Sequence, residues 1–421
     1  MIRAVVRDWL LLSLCAAPAA AKTLTVCDDV QDPMTLDPQK EFSEKNHTIV
    51  QQIFEGLVRF GPDGEIEPAL ATRWKRLDEK TVQFQLRRGI VFHDGQAFTA
   101  KDVAFSLRRY LDPATGFPAL GFISSLDRIE VLDDSTVNGI TKYPDGLLLN
   151  RLAGFVVIVP AEHYSRHGDD DLKQMPVGTG AFQFERWDRG RQLLLKANPR
   201  YWDPSHVKID RLIFRFIPIA EQVDALLKGD VDILMNLPGT RTTDVQKNPN
   251  TFVIKKPSFY TVAANFNISR KPLSEERVRE AINLAVDRED LIHYDIFGNG
   301  IPIGTLSQPG EFGHDASLKP YPYDPEKARR LLQRAGYPEG FTLKVLLKVN
   351  AERTARIIQK QLAQVGVKLD FTLVKDAELF QFLGDRERWD MAFYDCPDPM
   401  HHAFFIRSIF LSGQSPFSLH P

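Results

Sequence analysis

A chain of 421 residues is too long for one hydrophobic core, so two or three domains are expected. Apolar residues at 43% and charged residues at 26% describe an ordinary soluble globular protein and exclude disordered and fibrous classes. A formal net charge of −2 gives no electrostatic reason to expect nucleic acid or an anionic membrane surface as partner.

The first 21 residues stand apart. Arg3 and Arg7 form a positive start, Trp9 to Ala17 an apolar stretch and Ala19–Ala21 a small-residue cleavage site. That layout is a secretory signal, too short to span a bilayer stably, and no later run is apolar enough to do so. Leu12-Ser13-Leu14 before Cys15 has the outline of a lipoprotein signal, but Leu14 stands where such signals want a small residue, so the cut is expected after Ala21. Export leaves Cys27 and Cys396 in an oxidising space, either paired or as two buried thiols.

Thr23–Cys27 reads as a strand leading into the loop DDVQDPMTLDP. Thr48–Phe60 carries Ile49, Ile53 and Leu57 on one helical face and ends near the turn Gly61-Pro62-Asp63-Gly64. Thr81–Leu86 alternates as a half-buried strand should, and Thr99 caps a helix over Ala100–Tyr110 with Asp102 in its first turn. Val131–Thr141 and Phe155–Val159 are further strand candidates. From Val177 the chain reads as two β-segments around an Asp-Arg-Gly turn, then the strand Leu212–Ile217, the helix Glu221–Lys228 and the strand Val231–Leu234. Asn265–Ile292 reads as a strand closed by Pro272 and a helix capped by Ser274. Glu275 and Glu276 sit on its first turn, and Val278, Ile282, Ala285 and Val286 share one face. A helix over Asp324–Ala335, a strand over Thr342–Val349, a helix over Ala351–Val365 and a strand over Val367–Val374 follow. The mixture of βα units and hairpins predicts α/β domains with mixed sheets, and the absence of a flexible linker predicts that the domains interleave.

No Gly-x-Ser-x-Gly, His-Glu-x-x-His or Cys-x-x-Cys occurs, so nothing points to an enzyme and no cofactor is expected. Gly178-Thr179-Gly180 lacks the third glycine and the Lys-Ser or Lys-Thr of a phosphate loop, and is read as a tight turn; Gly298-Asn299-Gly300 is weak in the same way. The doublets Arg87–Arg88, Arg108–Arg109 and Arg329–Arg330 read as solvated element ends, and Trp74, Phe92, Trp187 and Trp202 as core aromatics.

Six blocks in order carry a resemblance. They are TLDP (Thr35–Pro38), Thr72–Leu107, VGTGAFQF with NPRYW (Val177–Phe184, Asn198–Trp202), Pro272–Arg288, Tyr323–Phe341 and Gln361–Leu369. Together the chain resembles solute-binding protein family 5 of bacterial ABC importers, the peptide and nickel receptors. The resemblance implies a periplasmic-binding-protein-like fold of class II type, a two-lobed clamp with an extra inserted subdomain. It implies lobe I from 22–49 and 176–262, an insert from 50–175 and lobe II from 263–421. Similar proteins continue for roughly a further domain's worth of residues, so lobe II is expected to be C-terminally incomplete, with apolar edges exposed. The implied role is a monomeric periplasmic receptor that closes on a peptide or small-molecule ligand and docks on a membrane permease driven by an ATPase.

The same resemblance sets Asp395 where an aspartate meets the α-ammonium of a bound peptide. Asp398 is read as a ligand contact or, before Pro399, as a turn-former. Phe393-Tyr394 stands where similar sequences have Gly-Trp, so the aromatic wall of the site, with Tyr394 as a ligand contact, is altered. Asn265 and Asn267, near the crossing between lobes, either bond the ligand or pair with backbone at a strand end. His401 and His402 are a weak alternative metal site, since adjacent histidines rarely aim both rings at one ion. The run Asp28–Asp32 is read as a solvated loop or a receiver of cationic ligand. Three functions stay open: a receptor for short peptides or similar amine-bearing solutes, a metal-chelate receptor, and a non-transporting sensor.

Overall fold

The computed structural model of this chain describes residues 22–27, 32–41, 44–255, 260–305, 309, 314–348, 351–374, 382–383 and 385–397. The expected signal segment, Asp398 and the pair His401–His402 lie outside them.

The chain starts with β1 (Thr23–Cys27) and reaches α1 (Glu44–Ile53) through the TLDP loop. A hairpin of β2 (Val58–Phe60) and β3 (Ile66–Pro68) follows. Next come β4 (Ala71–Arg76), β5 (Thr81–Leu86), α2 (Ala100–Leu111), β6 (Leu126–Asp133) and β7 (Thr136–Thr141), whose strands form an antiparallel sheet in the order β4-β5-β7-β6. Val82, Phe84 and Leu86 point inward from β5 as their alternation predicts. Thr99 and Asp102 close a capping box on α2, in which Thr99 N–H donates to the Asp102 carboxylate at 2.8 Å. The helices α3 (Leu148–Phe155), α4 (Ala161–Arg166) and α5 (Asp169–Leu172) then lead out of this region. Its core gathers Phe84, Val103, Leu107, Val137 and Phe155.

A second sheet takes β1 together with β8 (Phe182–Asp188), β9 (Gln192–Ala197) and β10 (Arg211–Arg215). It is completed by β11 (Ile233–Leu234), which follows α6 (Ile219–Lys228), and its order is β11-β1-β10-β9-β8. Within it β1 runs parallel to β10 and β11. Ile49, Ile53 and Phe54 at α1 pack on Leu193, Leu195 and Phe214 of this sheet. Burying each such side chain stabilises the fold by about 1.5–3 kcal/mol.

After α7 (Thr242–Lys247) the chain enters a third sheet at β12 (Tyr260–Phe266). It continues through α8 (Glu276–Leu284), α9 (Arg288–Tyr294), α10 (Pro325–Arg334), β13 (Phe341–Lys348), α11 (Glu352–Ala363), β14 (Val367–Val374) and β15 (Met391–Pro397). The order is β12-β15-β13-β14, with β13, β14 and β15 mutually parallel and β12 antiparallel to β15. Val278 and Ile282 of α8 meet Leu343, Val345 and Phe393 in its core.

Four expectations change. The helix read over Thr48–Phe60 stops at Ile53, because the carbonyls of Ile53, Glu55, Gly56 and Leu57 accept instead from the N–H groups of Gly180, Ile158 and 69–71. Val131–Thr141 is a hairpin, turned where the Asp133 carboxylate accepts from Ser135 N at 2.8 Å and Ser135 Oγ at 2.9 Å. Residues 156–159 are extended but belong to no sheet. The Val156 N–H still closes α3 on Leu152 O, and those of 157–159 go to Tyr110 Oη, the Glu55 carbonyl and Ser106 Oγ. Ser274 does not cap α8: its N–H donates to Arg270 O, the helix starts after Glu275, and the Arg279 guanidinium donates to the carbonyls of Leu273 and Ser274. β12, in which the expected 262/263 boundary lies, pairs into the third sheet from Tyr260 onward.

Candidate functional site

Parallel strands with connections on their faces leave a crevice outside their carboxyl ends, where loops from neighbouring strands diverge. In the second sheet that edge is marked by Cys27, Arg215 and Leu234, the last residues of β1, β10 and β11. In the third it is marked by Lys348, Val374 and the end of β15. The chain leaves the second sheet at the carboxyl end of β11. It enters the third at the first residues of β12, which pair with the carboxyl end of β15 through Thr261↔Cys396 and Val262↔Asp395. The crossover 235–259 therefore ties one carboxyl edge to the other. Within it Gly239 passes so close to the α9 end that an added Cβ would lie 2.7 Å from Ile296 O.

The backbone register sets Tyr394 opposite Ala263 and Asp395 opposite Val262, beyond the last β13 pair at Leu347↔Phe393. Asn265 and Asn267 are not brought to this edge. Asn265 pairs with Ala392, near the amino end of β15, and Asn267 lies further still from the crevice. Asn267 is committed to backbone: its Nδ2 donates to the carbonyls of Arg386 at 2.8 Å and Trp389 at 2.9 Å, and its Oδ1 accepts from Ser269 Oγ at 2.6 Å. Asn265 is 3% exposed, and neither end of its amide has a hydrogen-bond partner. Asp390 is also structural, accepting from Arg270 Nε at 2.9 Å and Lys344 N at 2.8 Å. Among the described residues no group of three or more His, Cys, Asp and Glu side chains is placed to hold a metal ion.

The family-like strings converge somewhere else, on a joint between the antiparallel sheet and the second sheet. An added Cβ on Gly178 would lie 2.1 Å from Ile53 O, and one on Gly180 2.4 Å from Gln52 O. These glycines are thus required by backbone approach to the end of α1, and neither has the positive φ of the tight turn read from sequence. His93 reaches the same loop: Gly178 N donates to its Nδ1 at 3.3 Å, so Nε2 carries the proton and donates to Gly180 O at 3.0 Å. Burial lowers the His93 pKa to about 4, keeping the ring neutral. Arg200 donates to Phe92 O and His93 O, and Asn198 Nδ2 to Gly180 O at 3.0 Å. Trp202 Nε1 and Tyr201 Oη both donate to Glu55 Oε1, at 2.9 and 3.1 Å, and burial raises the Glu55 pKa. Arg87, read as a solvated end, stacks on the Trp202 ring at 3.7 Å.

Arg109 was hidden from sequence in the same way. Its two Nη atoms clamp the carboxylate of Asp37 in the TLDP loop at 3.1 and 2.6 Å, and Asp37 is only 1% exposed. Asp32, the last acid of the Asp28–Asp32 run, accepts from Trp187 Nε1 at 2.6 Å and Gly190 N at 2.9 Å, while Arg189 lies over the Trp187 ring. Asp28 and Asp29 lie outside the described residues.

Two α/β sheets with their carboxyl edges joined by a crossover, and an antiparallel subdomain fastened to one of them, define a binding protein of the two-lobed periplasmic class. The comparisons agree with that class. The sequence model of the bacterial extracellular solute-binding proteins, family 5 Middle, matches residues 65–416, and the chain belongs to this family. The glutathione-binding protein GsiB of Escherichia coli (strain K12) is 31% identical over 349 residues, 80% of this chain and 67% of that protein. Among solved structures, DppA from Helicobacter pylori in complex with peptide STSA superposes with a TM-score of 0.78 at 27% identity, covering 91% of this chain and 80% of that one. AgaA from A. tumefaciens R10, in complex with agropinic acid, gives 0.78 at 31% identity over 93% and 80%. NikZ from Campylobacter jejuni in complex with Ni(L-His) shares the fold, with a TM-score of 0.79 at 23% identity over 93% and 81%.

Proposed function

We propose that this chain is the periplasmic substrate-binding component of an ABC importer, capturing short peptides or similar amine-bearing solutes and delivering them to the membrane permease. Lobe I comprises residues 22–49 and 176 to the crossover; the insert spans 50–175, and lobe II begins at β12. Ligand held between the two carboxyl edges stabilises the closed arrangement by touching both lobes, with the crossover 235–259 as hinge. The protein binds and releases without chemistry, and acts as a monomer on its permease and ATPase partners. No helix among the described residues is long and apolar enough to cross a membrane. Its relatives include the peptide-bound DppA and the glutathione-binding GsiB.

The observation that carries the reading is the register Val262↔Asp395, which supports a carboxylate at the crevice edge beside the crossover. An enclosed carboxylate meets an ammonium in a charge-assisted hydrogen bond and penalises ligands that lack one. Native mass spectrometry of the chain from Lys22 onward, offered tripeptide pools with free or N-acetylated amino ends, tests it. The free-amine pool is expected to be retained at least about 10-fold better, and Asp395→Ala to remove that preference. Equal retention of both pools by the unaltered chain overturns the amine reading.

A further inference from the structure

The crevice edge of the second sheet carries an arginine that forms no ion pair among the described residues. Arg215 ends β10, paired with Cys27 of β1 on one side and Gln192 of β9 on the other. Its residue surface is partly buried and its Nε–H is removed from solvent with no hydrogen-bond partner. Every other partly or fully buried arginine among the described residues has a partner. Arg59 pairs with Glu67, Arg109 with Asp37, Arg151 with Asp145 and Arg270 with Asp390. Arg87, Arg279 and Arg288 are held by rings, carbonyls or an amide. A guanidinium is a planar fork of five donors that is never deprotonated in proteins, so an unfilled fork at such a place selects a planar anion. In the adjoining β8–β9 hairpin Arg186 is matched by Asp188 and Arg189 by Asp32, and Arg191 also acts on Asp188, which leaves Arg215 as the arginine there without an ion pair among the described residues.

We infer that Arg215 is a carboxylate-recognising residue of the ligand crevice. Lobe I then grips the anionic end of the solute while the carboxyl edge of lobe II grips its amine. The inference rests on the proposed binding function and narrows its substrate class to solutes bearing both an amine and a carboxylate. Opposite charges on one ligand, each met by a different lobe, give closure an electrostatic reason: only a molecule with both ends joins the two lobes. A fork-to-fork Arg–carboxylate pair also fixes orientation, which a lysine ammonium does not.

The test uses tripeptide pools with free carboxyl ends and the same pools as carboxyl-terminal amides, offered to the chain from Lys22 onward and read by native mass spectrometry and by thermal shift. The free-acid pool is expected to be retained at least about 10-fold better than the amide pool. Arg215→Gln should erase the difference and Arg215→Lys should keep only part of it, with the melting temperature of each unliganded variant close to the parent. Retention of both pools equally, or a preference for the free acid that survives in Arg215→Gln, overturns the assignment and leaves the amine reading standing. Retention of neither pool overturns the binding function itself. Asp28 and Asp29 follow Cys27 in the chain; if Asp28→Asn with Asp29→Asn abolishes the preference as Arg215→Gln does, the arginine serves those side chains and the inference fails. Should Arg215→Gln not fold, Arg215→Lys decides: an undiminished preference for the free acid rejects the carboxylate role.

Discussion

Two regions of this molecule use polar side chains in opposite ways. At the joint between the antiparallel subdomain and the second sheet, His93, Asn198, Arg200, Tyr201 and Trp202 are all engaged with carbonyls or with the Glu55 carboxylate. At the carboxyl edge of the second sheet, the Arg215 Nε–H is buried with no hydrogen-bond partner among the described residues. Glu55 Oε2 and Thr179 Oγ1 at the joint are also buried without a hydrogen-bond partner, so the contrast lies in the cations: Arg87 and Arg200 are held at the joint, and Arg215 is not held at the edge. The strings by which the family is recognised therefore report how the lobes are fastened, and they say little about the solute.

The contrast is broken most severely through Gly178. A methyl there would stand 2.1 Å from Ile53 O, and both atoms belong to backbone that cannot swing aside. Gly178→Ala is expected to cost more than about 3 kcal/mol and to yield little folded protein, measured by urea denaturation. Near-parental stability would show that the joint yields. Next in size is Arg109→Ala, which strands the buried Asp37 carboxylate and is expected to cost about 3 kcal/mol. Ligand affinity per folded molecule should hardly change, since the pair fastens the TLDP loop to α2 and lies away from the crevice edge. A large loss of affinity at unchanged stability would make the pair part of the site.

The joint also predicts a dependence on pH. His93 titrates near 4 in the folded chain and near its ordinary 6.5 when unfolded. Between those values the unfolded chain binds a proton that the folded one refuses, so stability is complete above pH 6.5 and falls as pH drops toward 4. His47, also held near 4, adds to the same slope. Glu55 acts in the opposite sense: its raised pKa means that stability is greatest below 4.5 and declines as pH rises through its folded value. Denaturation at pH 7 and pH 5 should show lower stability at pH 5, a loss to which His93 alone contributes roughly 2 kcal/mol. His93→Gln is expected to shrink that loss, and an unchanged loss would remove His93 as a source.

Much of this architecture was legible from the residues. β5, the capped start of α2, and the βαβ run from Phe341 to Val374 follow from alternation and from Thr99 with Asp102. What escaped was non-local. Arg109 looks solvated from its neighbours because its partner lies 72 residues away. The carbonyls that end α1 are claimed by Gly180, Ile158 and 69–71, and 156–159 looks like a strand although the N–H groups of 157–159 go to side chains and to a loop. Of the candidate site, the place of Tyr394 and Asp395 at a strand end rests on β12–β15 register, which local pattern cannot give. Arg215 had no signal at all in sequence; only its lack of a partner singles it out.

The smallest effect expected is also the sharpest in sign. Asn265 and Asn267 lie two residues apart on β12, both buried, one amide with no partner and the other fully engaged. Removing the engaged amide in Asn267→Ala leaves the carbonyls of Arg386 and Trp389 short of donors and should cost about 2 kcal/mol. Removing the unengaged one in Asn265→Val deletes a buried group that gains nothing from folding and supplies a side chain suited to a strand. That variant should be neutral or up to about 1 kcal/mol more stable. Because Asn265 lies away from the carboxyl edge, its retention of tripeptides should match the parent. A stability loss comparable to that of Asn267→Ala would mean that the Asn265 amide does bond within the fold. A selective loss of ligand would instead carry the crevice further along β12 than its register suggests.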